Sequence, residues 1–232
     1  LGGGLGSLMG FLILTAIVTQ HRFDPVDSLA RTLVQQSQHS LLRPVMEGAS
    51  FFGGHPGQAL VVVLGSAMLW RRRRLWALSL PVVMAGAGLI QLLAKWAVAR
   101  PRPNLDPFGF PSAHVLGLVV LLGFVAYVVG MSDARRGWRG LGIGLCAATV
   151  GTVAYSRMYL DAHWFSDVLG GVGSGLAYLL IVIWLIRSIP PSWEATILRA
   201  AAGTGTEGLV AATTGTPKAG IEPGATPGAA AL

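Results

Sequence analysis

Long apolar runs alternate with short polar segments along most of this chain, and the runs have the length of membrane-spanning helices. A span requires about 20 apolar residues at a rise of about 1.5 Å per residue. The second run is the weakest, because its apolar part ends at Trp70 and the arginines that follow must extend to the membrane surface. The pattern predicts an all-α, polytopic membrane helix bundle within residues 1–190. Its six expected transmembrane helices cover about residues 3–19, 56–74, 75–99, 112–131, 138–155 and 167–187.

The first apolar run permits two interpretations. Residues 5–19 have the length of the hydrophobic core of a signal peptide, but they lack a basic leader and a small-x-small cleavage site. We therefore expect a first transmembrane helix there.

The connection between the first two runs, about residues 20–55, is mostly polar. Within it, apolar residues recur at the spacing of one face of a helix. They are Val26, Leu29, Ala30, Leu33 and Val34. This pattern is typical of an amphipathic helix lying on the membrane, and equally of a helix packed on the bundle.

The chain changes character after its last apolar run. Pro190 and Pro191 should end the last helix, and the remainder is rich in Ala, Gly, Thr and Pro with few aromatic residues. Such a segment cannot bury enough apolar surface to offset the entropy lost on ordering. We therefore expect residues 191–232 to form a disordered C-terminal tail.

Composition supports a membrane protein. Of the 232 residues, 53% are hydrophobic and only 12% are charged, whereas soluble domains carry about 25% charged residues. The net charge of +7 would also fit a nucleic-acid-binding protein. However, the basic residues lie in short loops between apolar runs, so we interpret them as topology signals and lipid-headgroup contacts and expect no nucleic-acid partner. Cys146 is the only cysteine, which excludes an intrachain disulfide.

The distribution of arginines predicts which loops face the cytoplasm. One arginine cluster occupies residues 71–74, and Arg135, Arg136 and Arg139 lie in the loop two spans later. Both loops fall on the same side of a six-span bundle, and positive charge in short loops marks the cytoplasmic side. The connector and all remaining polar clusters should therefore lie on the extracytoplasmic face.

Three polar clusters interrupt the apolar runs on that face. The first contains Lys95, Arg102 and Pro103, and the second is the segment 111–114. The third contains Ser156, Arg157, His163 and Asp167. Ionisable residues at the edge of a span are costly unless they face a polar site. Each cluster alone can also be explained without a catalytic role, as basic residues that reach the membrane interface, a hydrated histidine or a helix cap. Together they supply three cations, two histidines and a carboxylate.

This inventory suits the binding and attack of a phosphate. Lysine offers a point charge and arginine a fork that matches phosphate oxygens. Ser112 should cap the fourth span, whose first backbone N–H groups would attract an anion. His163 and Asp167 are four residues apart and would share a helix face, so the carboxylate would fix one ring nitrogen and leave the other free to attack.

The ordered pattern Lys-x6-Arg-Pro, Pro-Ser-Ala-His and Ser-Arg-x5-His-x3-Asp resembles the three signature motifs of the type 2 phosphatidic acid phosphatase (PAP2) superfamily of membrane lipid phosphatases. The resemblance implies that His163 is the nucleophile and forms a phosphohistidine, that Asp167 orients it, and that His114 is the general acid and later activates water. It also implies a set of phosphate-binding residues, which are Lys95, Arg102, Ser112, Ala113 through its backbone N–H, and Arg157. The family usually has glycine where this chain has Ala113, and alanine would be strained if the position required a positive φ.

The resemblance further implies a substrate class and a location. We expect a lipid phosphate or diphosphate, such as undecaprenyl diphosphate or another polyprenyl diphosphate, phosphatidate or phosphatidylglycerophosphate, and a bacterial plasma membrane. No cofactor is expected. Zinc or iron is the chemical alternative, but three cations would repel a divalent ion and only Asp106, Asp161 and Asp167 lie nearby.

Two other functions remain open from the sequence. One is a catalytically inactive phospholipid-binding or transport protein of the same fold. The other is a haloperoxidase-like oxidant that uses bound vanadate, although such proteins are typically soluble and the apolar spans disfavour one here. The sequence does not predict an oligomeric state.

Overall fold

The computed structural model describes residues 1–71 and 73–190, together with Ser192, Trp193, Thr196, Ile197 and Ala200. The chain divides into a unit of Leu1–Ile189 and a second unit of Pro190–Leu232. The predicted disordered tail falls in the second unit and lies almost entirely outside the described residues.

The first unit is built from α-helices, with no strand among its described residues, which confirms the all-α prediction. The helices are α1 (Gly2–Thr19), α2 (Asp24–Gln36), α3 (Arg43–Gly53), α4 (His55–Trp70), α5 (Arg74–Val98), α6 (Ala113–Gly130), α7 (Arg136–Tyr159) and α8 (Phe165–Arg187).

Among the described residues, four or five helices could span a membrane by length and composition, so the predicted count of six is not confirmed. The four clear candidates are α1, α5, α6 and α8. A fifth arises if α3 and α4, which meet at Gly54 with a bend of 55°, count as one broken span. The predicted second span is thus only the 16-residue α4. α7 is long enough at 24 residues but contains three arginines, and it is not among the candidates.

α6 lies at the centre of the bundle. Its residues Leu116, Leu121 and Phe124 are fully buried and form a core with apolar side chains of α5 and α8. The backbones of α6 and α8 approach closely because α8 carries glycine at the contacts. A Cβ at Gly171 would lie 2.8 Å from the carbonyl oxygen of Ser112. α1 packs along α8, and Phe11 of α1 stacks on Phe110 in the loop before α6.

The two ends of α6 differ in character. At its C-terminal end, Arg73 donates to the carbonyl oxygen of Met131 and Arg139 to that of Gly130, each at 3.2 Å. Its N-terminal end begins with the second polar cluster. An 18-residue helix is about 27 Å long, so these two arginines and that cluster lie at opposite ends of the bundle.

α2 turns its apolar residues outward and a carboxylate inward. Val26, Leu29 and Leu33 are 44%, 61% and 58% exposed, whereas Asp27 is only 1% exposed. The helix packs on α7 and α8 through this polar side. The helix thus packs on the bundle, as one of the two interpretations has it. That its exposed apolar face lies on the membrane stays a prediction.

Candidate active site

The three polar clusters meet where α6 begins. Lys95, in the last turn of α5, donates through Nζ to the carbonyl oxygen of Phe108 in the following loop. It lies within electrostatic range of Arg102, Arg157 and Asp167. The backbone N–H of Ser112 donates to the carbonyl oxygen of Asp167 at 2.9 Å, which joins the second cluster directly to the third.

The loop after α5 holds Arg102 by closing on itself. The backbone N–H of Gly109 donates to the carbonyl oxygen of Arg100 at 2.7 Å, and that of Arg102 to Asp106 at 2.8 Å. A Cβ at Gly109 would lie 3.0 Å from Oδ2 of Asp167 and 3.2 Å from Cγ of Arg102. The loop therefore presses against the third cluster at a position that leaves little space for a side chain.

Ser112 occupies the N-cap position of α6, as predicted. It is fully buried, but its hydroxyl makes no capping hydrogen bond. Ala113 is the first helical residue and is not among the residues with positive φ. Alanine in place of the family's usual glycine therefore causes no backbone strain here.

His114 follows in the first turn of α6 and borders a small cavity of about 80 Å³. The cavity lies between the α3–α4 bend, α5 and α6. Its polar lining includes Gln58 of α4 and Gln91 of α5. A Cβ at Gly54, in the bend, would lie 3.4 Å from Nε2 of His114. The bend thus brings backbone close to this imidazole.

The third cluster begins inside α7, which continues beyond the predicted boundary at residue 155 to Tyr159. Arg157 lies in its last turn and donates through one terminal nitrogen to Oγ of Ser50 in α3. Ser156 is buried and donates to the carbonyl oxygen of Val153 at 2.7 Å. Of this pair, Arg157 therefore has donors available for a ligand, and the hydroxyl proton of Ser156 is already used within its own helix.

His163 and Asp167 are in contact, but not on a shared helix face as predicted. His163 precedes α8, and Trp164 is the N-cap. Asp167, in the first turn, accepts the backbone N–H of Trp164 at 3.0 Å, which satisfies a free donor of the helix end. The same oxygen, Oδ2, lies 3.3 Å from Nδ1 of His163. The spacing of four therefore gives the expected contact through helix capping.

Burial changes the proton affinity of the His163 imidazole. Its pKa is lowered from the ordinary 6.5, chiefly because burial disfavours the charged form; the hydrogen bond and charge of Asp167 oppose this effect, and the charges of Arg157 and Arg102 add to it. A carboxylate can only accept, so Nδ1 carries the proton of the neutral ring. The lone pair on Nε2 is then free for attack.

Sequence reasoning missed a buried network behind Asp167. Arg100 donates through one terminal nitrogen to Asp24 at 3.1 Å and Asp27 at 2.9 Å, and through the other to Ser166 at 2.6 Å. That second nitrogen also lies 3.4 Å from Oδ1 of Asp167. The only signal in the sequence was an acid on the polar side of the connector helix, which is normally a solvated position.

Three of the predicted phosphate-binding residues carry a buried donor without a partner. The atoms are Nε of Arg102, Oγ of Ser112 and Nε of Arg157, and none has a hydrogen-bond partner among the residues that the structure describes. Because about 90% or more of buried polar groups are hydrogen-bonded in proteins, three such atoms in one site indicate a ligand that supplies acceptor oxygens. A phosphate group has this property.

The described residues contain no group of three or more His, Cys, Asp or Glu side chains arranged to hold a metal ion. The expectation of metal-independent chemistry stays a prediction, to be tested with a chelator.

Known proteins share both the sequence pattern and the fold. The family model described as PAP2 superfamily matches residues 106–190, which include the second and third clusters. Phosphatidylglycerophosphatase B of Bacillus subtilis is 28% identical over 186 residues, covering 74% of this chain and 89% of that protein. Decaprenylphosphoryl-5-phosphoribose phosphatase of Mycobacterium tuberculosis is 34% identical over 151 residues, covering 58% of this chain and 75% of that protein.

The crystal structure of a transmembrane PAP2 type phosphatidylglycerolphosphate phosphatase from Bacillus subtilis has the same fold. It superposes with a TM-score of 0.75 at 23% sequence identity, covering 82% of this chain and 99% of that one. The relatives, the family model and the shared fold all agree with the resemblance carried by the three motifs: this chain belongs to the PAP2 superfamily.

Proposed function

We propose that this membrane phosphatase releases inorganic phosphate from a lipid phosphate or diphosphate through a phosphohistidine intermediate. One observation carries the proposal: the unpartnered buried donors of Arg102, Ser112 and Arg157 accompany the buried pair of His163 and Asp167. A phosphate dianion would accept from all three donors in charge-assisted hydrogen bonds.

In the first step, Nε2 of His163 attacks phosphorus and the bond to the lipid oxygen breaks. Asp167 holds Nδ1–H and stabilises the imidazolium that forms. His114 gives its proton to the leaving oxygen, so the lipid departs as a neutral alcohol or, from a diphosphate, as the monophosphate. In the second step, His114 takes a proton from water, the water oxygen attacks phosphorus, and His163 is released with inorganic phosphate.

The cationic surroundings supply most of the catalysis in this scheme. Phosphoryl transfer spreads negative charge over three equatorial oxygens, so fixed donors and positive charge lower the barrier. Lys95, Arg102 and Arg157 provide the charge, and Ser112 and the N–H of Ala113 provide neutral donors at the start of α6. Acid catalysis by His114 typically contributes about 10²–10⁴-fold.

We further propose that the site opens on the extracytoplasmic face. Support comes from Arg73 and Arg139, which lie at the opposite end of α6 and mark the cytoplasmic side if the positive-inside rule holds. Cysteine labelling in intact cells tests the assignment in a Cys146→Ala background. Leu105→Cys, at an 84% exposed position beside the site, should react with a membrane-impermeant maleimide, and Ala134→Cys should not. The reverse pattern contradicts the assignment.

Phosphate release from defined lipids tests the activity. The protein, reconstituted in nanodiscs, is given phosphatidylglycerophosphate, phosphatidate, undecaprenyl diphosphate and decaprenylphosphoryl-5-phosphoribose. The panel reflects the activities named for its relatives and the candidates drawn from its motifs. We expect turnover of at least one. Lipid binding without release from any of them would favour the inactive-relative alternative.

The intermediate is tested by rapid quenching with ³²P-labelled substrate. Wild-type protein should carry an acid-labile label, and His163→Ala should lose both the label and turnover. His39→Gln is the matched control, because His39 is exposed and its hydrogen bonds to Tyr159 use its backbone. Turnover that persists in His163→Ala would contradict the mechanism.

A further inference from the structure

Asp27, Arg100 and Ser166 form a buried network that the phosphohistidine mechanism does not use. Asp27 is 1% exposed and accepts three hydrogen bonds: from the backbone N–H of Ser166 at 2.8 Å, from its hydroxyl at 2.6 Å and from Arg100 at 2.9 Å. Burying a carboxylate and a guanidinium is costly unless both are paired and hydrogen-bonded. Both requirements are met here. Asp27 belongs to α2, which is not among the candidate membrane spans.

The network ends on the carboxylate of Asp167. Arg100 reaches Oδ1 of Asp167 at 3.4 Å, while Oδ2 meets His163. The guanidinium is held in place by Trp164, whose ring centroid lies 5.6 Å from its Cζ and whose indole N–H donates to the carbonyl oxygen of Pro101 at 3.1 Å. Asp167 is therefore flanked by a fixed cation on one oxygen and by the imidazole on the other.

We propose that Asp27 is a positioning residue that offsets the positive charge of Arg100, so that the negative charge of Asp167 acts undiminished on the imidazolium formed on His163. The distances support this division, since Arg100 lies closer to Asp27 than to Asp167. Asp24 also contacts Arg100 but is 46% exposed, so solvent screens its charge. The inference rests on the proposed function, because it assigns Asp27 a role through the nucleophile.

The other charged and titratable groups near His163 come from four parts of the fold. Asp167 belongs to α8, Arg157 to α7 and Arg102 to the loop after α5, and His114 of α6 is also within electrostatic range. Lys95 of α5 acts on Asp167. All of these groups are unchanged when Asp27 or Arg100 is replaced. A difference in the pKa of His163 among such variants therefore reports the charges of Asp27 and Arg100.

The test is the pKa of His163 itself, measured by NMR on protein in nanodiscs with ¹³C-labelled histidine. The chain has five histidines, and His163→Gln identifies the resonance. Asp27→Asn leaves Arg100 uncompensated and should lower the pKa of His163, whereas Arg100→Gln leaves Asp27 uncompensated and should raise it. Each shift should be on the order of one pH unit, the size expected for a nearby unit charge at an effective dielectric constant of about 20.

The double variant Asp27→Asn/Arg100→Gln removes both charges and should return the pKa close to the wild-type value. In kinetics, Asp27→Asn should reduce kcat about ten-fold with little change in KM, similar to the loss of an outer-sphere partner of a ligating histidine. The double variant should recover part of this loss. A purely structural role predicts the opposite, namely that two disruptions of one network cause more damage than one.

Arg31→Gln is the matched control. Arg31 also joins α2 to the site region, through a bidentate pair with Asp161 at 2.7 and 2.6 Å. Its Cζ lies 5.6 Å from the ring centroid of Trp164, as that of Arg100 does, but it does not contact Asp167. It should leave the pKa of His163 and kcat nearly unchanged. Equal effects from Arg31→Gln, or shifts of the same sign in both single variants, would overturn the inference.

The NMR readout does not depend on turnover, so the two proposals can fail separately. If the wild-type protein is active and the pKa of His163 is the same in all variants, the proposed role of Asp27 is wrong and the phosphatase mechanism is unaffected. A wild-type protein that hydrolyses no lipid of the panel removes both. Should Asp27→Asn not fold, Arg100→Gln and the double variant still fix the sign of the coupling.

Discussion

Ser112→Ala should stabilise the protein and weaken its hold on phosphate at the same time. The hydroxyl of Ser112 is fully buried, has no partner and makes no capping hydrogen bond. A buried polar group without a partner costs about 1–3 kcal/mol, and the usual loss of about 1 kcal/mol for removing a cap does not apply where no capping bond exists. We expect a gain of about 1 kcal/mol without ligand, or about 2–4 °C in Tm for a chain of this size.

Anion binding should change in the opposite direction. A hydrogen bond to a charged group contributes about 1.5–3 kcal/mol, so removing the hydroxyl should weaken binding about 10–150-fold. Orthovanadate, a phosphate analogue, is a suitable probe. In thermal unfolding experiments in nanodiscs without vanadate, Ser112→Ala should have a higher Tm than wild type. Vanadate should raise the Tm of Ser112→Ala less than it raises that of wild type.

Ser174→Ala is the matched control for this experiment. Ser174 is also buried, in α8, but its hydroxyl donates to the carbonyl oxygen of Gly170 at 2.6 Å. The variant should lose about 1 kcal/mol and bind vanadate as wild type does. If Ser112→Ala also destabilises the protein, or if its vanadate affinity is unchanged, the hydroxyl is not a ligand of the anion.

Three further predictions concern the same site. Because burial lowers the pKa of His163 and attack requires the neutral ring, NMR titration should give a value below 6.5, and the nucleophile should be lost only as pH falls through that lowered value; a value above 6.5 contradicts the dominance of burial. Turnover should persist in excess EDTA, and a loss restored by zinc or magnesium would refute metal independence. Gly109→Ala places a Cβ 3.0 Å from Oδ2 of Asp167 and should reduce kcat by up to about 10²-fold, whereas Gly144→Ala, with nothing within 4 Å, should retain full activity.

Much of the fold could be predicted from the lengths of the apolar runs alone. The four clear spans were predicted to within a few residues, because a run of about 20 apolar residues has few alternatives in a membrane protein. The α3–α4 pair was harder, because two short helices separated only by Gly54 look like a polar connector followed by a weak span. α7 was predicted as a span over residues 138–155, but the helix runs from Arg136 to Tyr159 and carries three arginines, and it is not among the candidate spans.

The site residues that belong to the three sequence motifs could be predicted, whereas those that depend on tertiary contacts could not. The ordered motifs predicted that Lys95, Ser112 and Asp167 would meet. The capping role of Asp167 was not predictable from a spacing of four, because that spacing does not reveal where a helix begins. Asp27 was missed because an acid in an amphipathic helix normally faces water, and here the apolar face is the exposed one.

The inverted amphipathic pattern of α2 has a practical consequence for engineering. The segment before α3 looks like the most dispensable part of the chain, and it would be the natural choice for an epitope tag, a fluorophore or a shortened loop. Yet its inner side supplies Asp27, whose buried carboxylate accepts hydrogen bonds from Ser166 and Arg100 behind Asp167, so insertions there should reduce activity. The turn between α6 and α7, where Asp133 and Ala134 are exposed, is the better position for such additions.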